Sequence, residues 1–209
     1  MVTKAAASPG ALPEAKPSAR ERLLSAANEL FYDEGVQTVG IDRIIQRAGV
    51  AKASLYNTFG SKDELVHAYL QSRHAAVTTH ILHSLECYDT ARDQLLGVFD
   101  AQAELFSGPG YRGCAFVAAS AEARPGSSTE QASNEYRAWV CGLFINLARQ
   151  AGVSDAETLG RRLHLLYDGC AVSARMDNDP HAAAAARAAA EALLDAALAT
   201  PSERDRPKH

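Results

Sequence analysis

Gly35, Gly49 and Gly60 punctuate the chain between Phe31 and Leu65. Glycine after an apolar run is a common way to stop a helix, because it turns left-handed without a Cβ penalty. So closely spaced, the three leave room for only two short helices after a longer first one. That first helix opens at Ser18-Ala-Arg-Glu21, where the serine can close an orphan N–H and Glu21 can reach back. Leu23, Leu24, Ala27, Leu30 and Phe31 then recur on one face, and Gly35 predicts a left-handed cap. A second helix is expected over Ile41–Ala48, with Ile44, Ile45 and Ala48 inward and Val50 plugging the turn. The third runs from Lys52 to Phe59, with Leu55 and Phe59 inward and a polar remainder. Packing alone explains such a helix poorly.

Ser61-Lys-Asp-Glu64 opens a long helix reaching toward Cys87. Asp89 is placed to cap a helix carrying Leu95, Leu96, Phe99 and Phe106. Ser107 to Gly113 reads as a loop, followed by a shorter helix from Cys114 to Ala123. Ser127 to Glu130 and Ser154 to Glu157 read as further capping boxes. The helices they open are marked by Trp139, Leu143, Phe144 and Leu147, and by Leu159, Leu163, Leu166, Tyr167 and Cys170. Asp177 to Pro180 breaks the chain before an alanine-rich helix, in which Arg187, Glu191 and Asp195 share one face and small residues lie opposite. No strand is convincing and no repeat is evident. The expected fold class is all-α, with about nine helices.

Composition narrows the function classes. A chain of 209 residues, 47% hydrophobic, can bury a real core, and abundant alanine with only 7% aromatics favours close helix packing. The N-terminus carries no apolar signal core, and no run reaches the roughly 18 apolar residues of a membrane span. Cys87, Cys114, Cys141 and Cys170 form no CxxC pair. A cytoplasmic protein with reduced thiols and no membrane partner is expected. With a net charge of −4, any nucleic-acid site must be a local patch.

Two short helices joined by a glycine-led turn describe a helix-turn-helix, whose second helix enters the DNA major groove. Between Thr38 and Lys62 the basic residues Arg43, Arg47, Lys52 and Lys62 face Asp42 alone, a strip that suits phosphates. The segment Thr38 to Leu65, with its AGV turn, its K-x-x-L-Y-x-x-F helix and its S-K-x-x-L opening, resembles the DNA-binding domain of the tetracycline-repressor (TetR) family. The resemblance covers about Ser18 to Leu70. Beyond it only GYRGCAF, Gly110 to Phe116, resembles one branch of that family.

The resemblance implies an N-terminal helix-turn-helix domain joined by a long helix to a C-terminal ligand-binding and dimerisation domain. The expected boundaries are a disordered arm at 1–17, the DNA-binding domain at 18–65, the sensing and dimerisation domain at 66–200, and a tail at 201–209. It implies that Tyr56 and Lys62 grip phosphates, that Ser54 touches the DNA backbone, and that Lys52, Ala53, Asn57 and Thr58 face base edges. Lys52 has the chemistry to donate to guanine and Asn57 to pair with adenine. The N-terminus of the fourth helix offers N–H groups to a phosphate. Three positions depart from the family pattern. Ala51 replaces a serine cap, Gly40 leaves only a backbone N–H where Thr or Ser often contacts phosphate, and Asn57-Thr58 replaces a common aromatic or His pair. A borrowed operator sequence is therefore not expected to fit.

For the larger half the resemblance implies dimerisation and ligand sensing. Leu159, Leu163, Leu166, Leu193, Leu194 and Leu198 are the candidates to fill a four-helix dimer interface, with packing inside one subunit the competing reading. Phe99, Phe106, Phe116, Trp139 and Tyr167 are candidate cavity walls, or plain core. Cys114 follows a glycine loop at a helix start, two residues after Arg112, which favours thiolate; a buried inert thiol is the alternative. His80, His83 and Cys87 share a helical face but lack a fourth ligand, so no metal is expected. The function expected is a ligand-responsive regulator, a repressor released from a palindromic operator by a small molecule. The alternatives are a redox or electrophile sensor acting through Cys114, and an enzyme with an incidental helix-turn-helix. No G-x-S-x-G, H-E-x-x-H or phosphate loop supports an enzyme, and no catalytic residue or cofactor is expected.

Overall fold

The computed structural model describes residues 16–199. The expected arm and tail fall outside these residues, except Lys16 and Pro17. The described residues form nine helices and no strand: α1 (Ala19–Glu34), α2 (Ile41–Ala48), α3 (Lys52–Phe59), α4 (Lys62–Leu85), α5 (Ala91–Ser107), α6 (Ala115–Glu122), α7 (Ser128–Gln150), α8 (Ala156–Met176) and α9 (Ala182–Ala199). The fold is all-α, with an N-terminal helix-turn-helix unit.

Local chemistry sets the helix ends. Ser18 and Glu21 form a reciprocal capping box, with bonds of 3.2 and 2.7 Å. Ser61 and Ser127 each accept from the N–H three residues on, but Glu130 bonds the Gly126 N–H instead of completing its box. Two expected caps move by one residue. Thr90 rather than Asp89 caps α5, and Asp155 rather than Ser154 caps α8, because each places an oxygen on the third N–H of its helix. Gly35 has φ 91° and ψ 151°, a positive φ that favours glycine but lies outside the left-handed helical region, and Val36 and Val39 beyond it are both buried. Gly49 does take the left-handed form, at φ 63° and ψ 43°. Ala51 caps α3 with no side-chain bond.

One continuous core runs from Leu23 in α1 to Leu194 in α9. α1 packs on α2, α3 and α4; α4 continues into a bundle with α5 and α7; α8 lies between α7 and α9. Leu159, Leu163 and Leu194 are buried in this core, with Leu166 and Leu193 half-buried against it. Within the expected interface set, only Leu198 is exposed. Apolar periodicity in α8 and α9 singled out mainly their inward faces. The outward apolar residues of α8 are Leu165, Val172 and Met176.

α7 approaches α8 closely at Gly160. A Cβ built there would overlap the Ile145 side chain and sit 2.9 Å from the Ile145 nitrogen. Substitution Gly160→Leu should force α7 and α8 apart at a cost of about 1–3 kcal/mol, lowering Tm by about 2–4 °C per kcal/mol; thermal unfolding measures this. Conversely, Ala51→Ser supplies the missing cap and should raise stability by about 1 kcal/mol, with helicity unchanged by circular dichroism.

Candidate functional site

α1 is the platform of the helix-turn-helix. Its buried Leu23, Ala26, Ala27 and Leu30 join the core with Ile44 of α2 and Leu55 of α3. The turn is closed by Val50 N–H donating to Ile45 O at 3.3 Å, and Val50 packs against the core. Because Leu55 is buried and Phe59 half-buried, the other side of α3 faces outward. Lys52, Ala53, Tyr56, Asn57 and Thr58 are all exposed, Tyr56 to 44%, and Ser54 is half-buried. Gly40 caps α2 at the same surface, exposed and with nothing within 4 Å of a built Cβ. The structure thus brings together the residues expected to meet DNA.

The electrostatics differ from the sequence window. Arg43 pairs with Glu34, and Arg47 pairs with Glu29 at 2.7 Å; both carboxylates come from α1. Lys52 Nζ is 2.9 Å from Asp42, and the hydrogen bond to Asp42 holds the ammonium above its ordinary pKa. Lys62 has no carboxylate within ion-pair distance among the described residues and lies 6.0 Å from the Phe31 ring centroid. At the start of α4, Ser61 occupies the Glu64 N–H, and Asp63 and Glu64 add negative charge beside the helix terminus. Arg20, which the motif does not reach, is held 5.6 Å over the Phe59 ring at the end of α3. Only the tertiary fold reveals it as a neighbour of this surface.

The second feature is a cavity of about 230 Å³ among α1, α4, α5, the 108–114 loop, α6, α7 and α8. Phe106, Cys114, Phe116 and Tyr167 line it. Phe99 and Trp139 do not: Phe99 packs on Phe144 with centroids 5.5 Å apart, and Trp139 lies against His74 at 5.8 Å. Tyr32, Arg73, Gln102 and Tyr136 line it without having been singled out by sequence. Periodicity ranks apolar positions, whereas Arg73 and Gln102 are charged and polar and Tyr32 is only half-buried. Phe116 stacks on Tyr136 at 3.8 Å and 9°, the Tyr136 and Tyr167 hydroxyls are 3.0 Å apart, and Gln102 Nε2 donates to Tyr167 O at 2.9 Å. Burial pushes the Tyr111, Tyr136 and Tyr167 phenols up, so all three stay neutral. Tyr32 ties the cavity to α1. Its hydroxyl donates to Gly113 O at 3.1 Å and accepts from Arg112 N at 3.0 Å.

Comparison with known proteins places the chain by family and fold. The model of the family "Bacterial regulatory proteins, tetR family" matches residues 23–69. A solved TetR-family transcriptional regulator from Streptomyces coelicolor is 32% identical with a TM-score of 0.80, over 86% of this chain and 95% of that one. The reduced form of NemR from Escherichia coli superposes with a TM-score of 0.74 at 23% identity, over 83% and 95% of the two chains, a likeness of fold. The transcriptional activator FasR of Mycolicibacterium smegmatis is 38% identical over 82 residues, 39% of this chain and 37% of that protein, so the chain spans little more than a third of that relative's length.

Cys114 does not have the setting its sequence position implied. It precedes the first turn of α6, where the Val117 and Phe116 N–H groups favour thiolate, but burial outweighs them and pushes the thiol up. Arg112 turns away, pairing with Asp33 at 3.4 Å. The shared face of His80, His83 and Cys87 is likewise dispersed: His80 Nε2 is 3.0 Å from Ala101 O, His83 pairs with Glu86, and Cys87 bonds Ser84 O. Among the described residues no group of three His, Cys, Asp or Glu could hold a metal ion. Cys87 is exposed, whereas burial pushes Cys170 up to about 12. Alkylation by iodoacetamide near pH 8, followed by peptide mass spectrometry, should modify Cys87 first and Cys114 and Cys170 at least about tenfold more slowly. Comparable rates at Cys87 and Cys114 would reinstate the thiol-sensor reading.

Proposed function

This chain belongs to the TetR family of DNA-binding transcriptional regulators, and we propose that it acts as a homodimeric repressor released from a palindromic operator by a small effector. On this reading residues 18–65 are the reading head and residues 66–200 the sensing and dimerising body. α3 enters the major groove. Lys52, Ala53, Asn57 and Thr58 face base edges, while Ser54, Tyr56, Lys62 and the Gly40 backbone N–H hold phosphates. The carrying observation is Tyr32: one side chain of α1, the helix on which the reading head is built, is also a wall of the cavity. An effector that shifts Tyr32 acts on the head directly, and differential binding to two head positions is what release requires.

The dimer is assigned to α8 and α9. Leu165 and Met176 of α8 are 69% and 75% exposed, with Val172 between them. On α9 the charges are engaged inside the chain: Arg187 with Asp100, and Glu191 and Asp195 with Arg92. That leaves alanines on its outward face, including Ala184, Ala185, Ala188, Ala189 and Ala192, where a second helix can approach closely. A two-fold pair of heads doubles the bases read by one short helix.

Selection of DNA from a random pool by the full chain tests the reading: an inverted repeat is expected, and a lone half-site would refute dimeric binding. Against the selected site, Lys62→Ala should weaken binding to all sequences about equally and flatten the log K against log salt slope by about one unit per subunit. An unchanged slope would remove Lys62 from the phosphate contacts.

A further inference from the structure

We propose that the cavity accepts a small aromatic carboxylate, whose anionic head docks on Arg73 and whose ring lies among Phe106, Phe116 and Tyr136. The inference rests on the effector-sensing reading above and specifies the chemistry of the occupant.

Arg73 is a cavity wall without a counter-charge. Among the described residues no carboxylate lies within ion-pair distance of its guanidinium. Its contacts are neutral: the Tyr32 ring centroid 3.9 Å from the guanidinium carbon, the Tyr69 ring at 5.7 Å, and the Asn28 carbonyl accepting from Nη2 at 3.4 Å. Its Nε is buried and has no hydrogen-bond partner. A buried donor left unpaired is costly, and a guanidinium is matched best by the two oxygens of a carboxylate. The other charged wall, Asp168, is already neutralised by Arg137 at 2.7 Å, with His164 at 3.6 Å. A cationic ligand would meet a carboxylate whose partners are in place; an anionic one meets a cation that has none.

The remaining surface sets the rest of the molecule. Stacked Phe116 and Tyr136, and Phe106 at 4.9 Å from Tyr111, offer ring faces and edges. The neutral phenols do not repel a carboxylate, and of the Tyr136–Tyr167 pair one O–H remains to donate to it. A volume of about 230 Å³ lies below the roughly 300–1,000 Å³ of drug-sized sites, which limits the occupant to one or two rings. Arg73 also holds the Asn28 carbonyl and the Tyr32 ring of α1. An anion that draws the guanidinium to itself therefore loosens α1, the direction needed for release of DNA.

Isothermal titration of the full chain tests this with sodium benzoate and sodium 1-naphthoate, their neutral isosteres benzamide and 1-naphthamide, and phenyltrimethylammonium. Each acid should bind about tenfold or more tightly than its amide, the ammonium should not bind, and the acids should lower affinity for the selected operator. Arg73→Gln should erase the acid-over-amide preference. Because that variant also loosens α1, the comparison of acid with amide on the unaltered chain stands as an independent measure. Equal affinity for acid and amide, or preference for the ammonium, overturns the anion assignment, while DNA release by such a ligand leaves the effector reading intact. No binding by any of these classes, in protein that still binds its operator, overturns the anion assignment and removes the cavity's support for effector sensing.

Discussion

The end of α1 is the constraint on which the rest of the structure depends. Its middle turns carry α2 and α3, while its last turn is fixed to the body. Phe31 meets the Tyr69 ring edge-on at 5.5 Å, Tyr32 bonds the Gly113 carbonyl, and the Gln37 N–H donates to Glu122 at 3.0 Å. The head therefore has no independent platform, and its tilt is set by what α1 touches. Each of these hydrogen bonds is worth about 0.5–1.5 kcal/mol net. Making or breaking one or two of them is comparable to the roughly 1–3 kcal/mol coupling of most allosteric systems.

The body shows the same economy in its use of charge. A lone alanine-rich helix with one charged face would ordinarily turn the charges to water. Here Arg187, Glu191 and Asp195 of α9 interlock with Asp100 and Arg92 of α5, and the uncharged face is outward. Partly exposed pairs of this kind contribute little to stability, so their role is orientation: they fix the rotation of α9 about its axis. Gly160 does the corresponding work for α8, allowing α7 to approach so closely that Leu159 and Leu163 turn inward and Leu165, Val172 and Met176 turn outward.

Much of this was legible in the sequence, and the failures share a cause. Caps, glycine stops and apolar spacing located the helices, because those signals act within a turn or two of the backbone. The outward face of α3 followed from Leu55 and Phe59 in the same way. What the spacing could not give was the identity of the surface each face meets. Leu163 and Leu165 are equally apolar, and only the packing of α7 on α8 decides which is core. Arg43 and Arg47 looked unopposed because Glu34 and Glu29 lie outside the local window and become neighbours when α1 folds against α2. Cys114 had the right local signals for a thiolate, but its burial depends on helices distant in sequence. Arg73 and Tyr32 were invisible because their importance lies in a pairing across 41 residues, which no periodicity records.

Those acidic partners also bear on how the surface around α3 would choose its DNA. With Arg43, Arg47 and Lys52 each paired in the free protein, and a formal net charge of −4 overall, long-range attraction to duplex DNA is weak. Exposed pairs are nearly neutral in free energy, so a phosphate in good register can replace Glu34, Glu29 or Asp42 at small cost. A phosphate out of register instead meets the carboxylates themselves. On the proposed reading, acidic residues at the rim would lower sequence-independent binding more than specific binding, and a larger share of the discrimination would fall on the uncharged groups of α3, Asn57 and Thr58. Asn57 would matter most in that arrangement, because a carboxamide can both donate to and accept from one adenine edge.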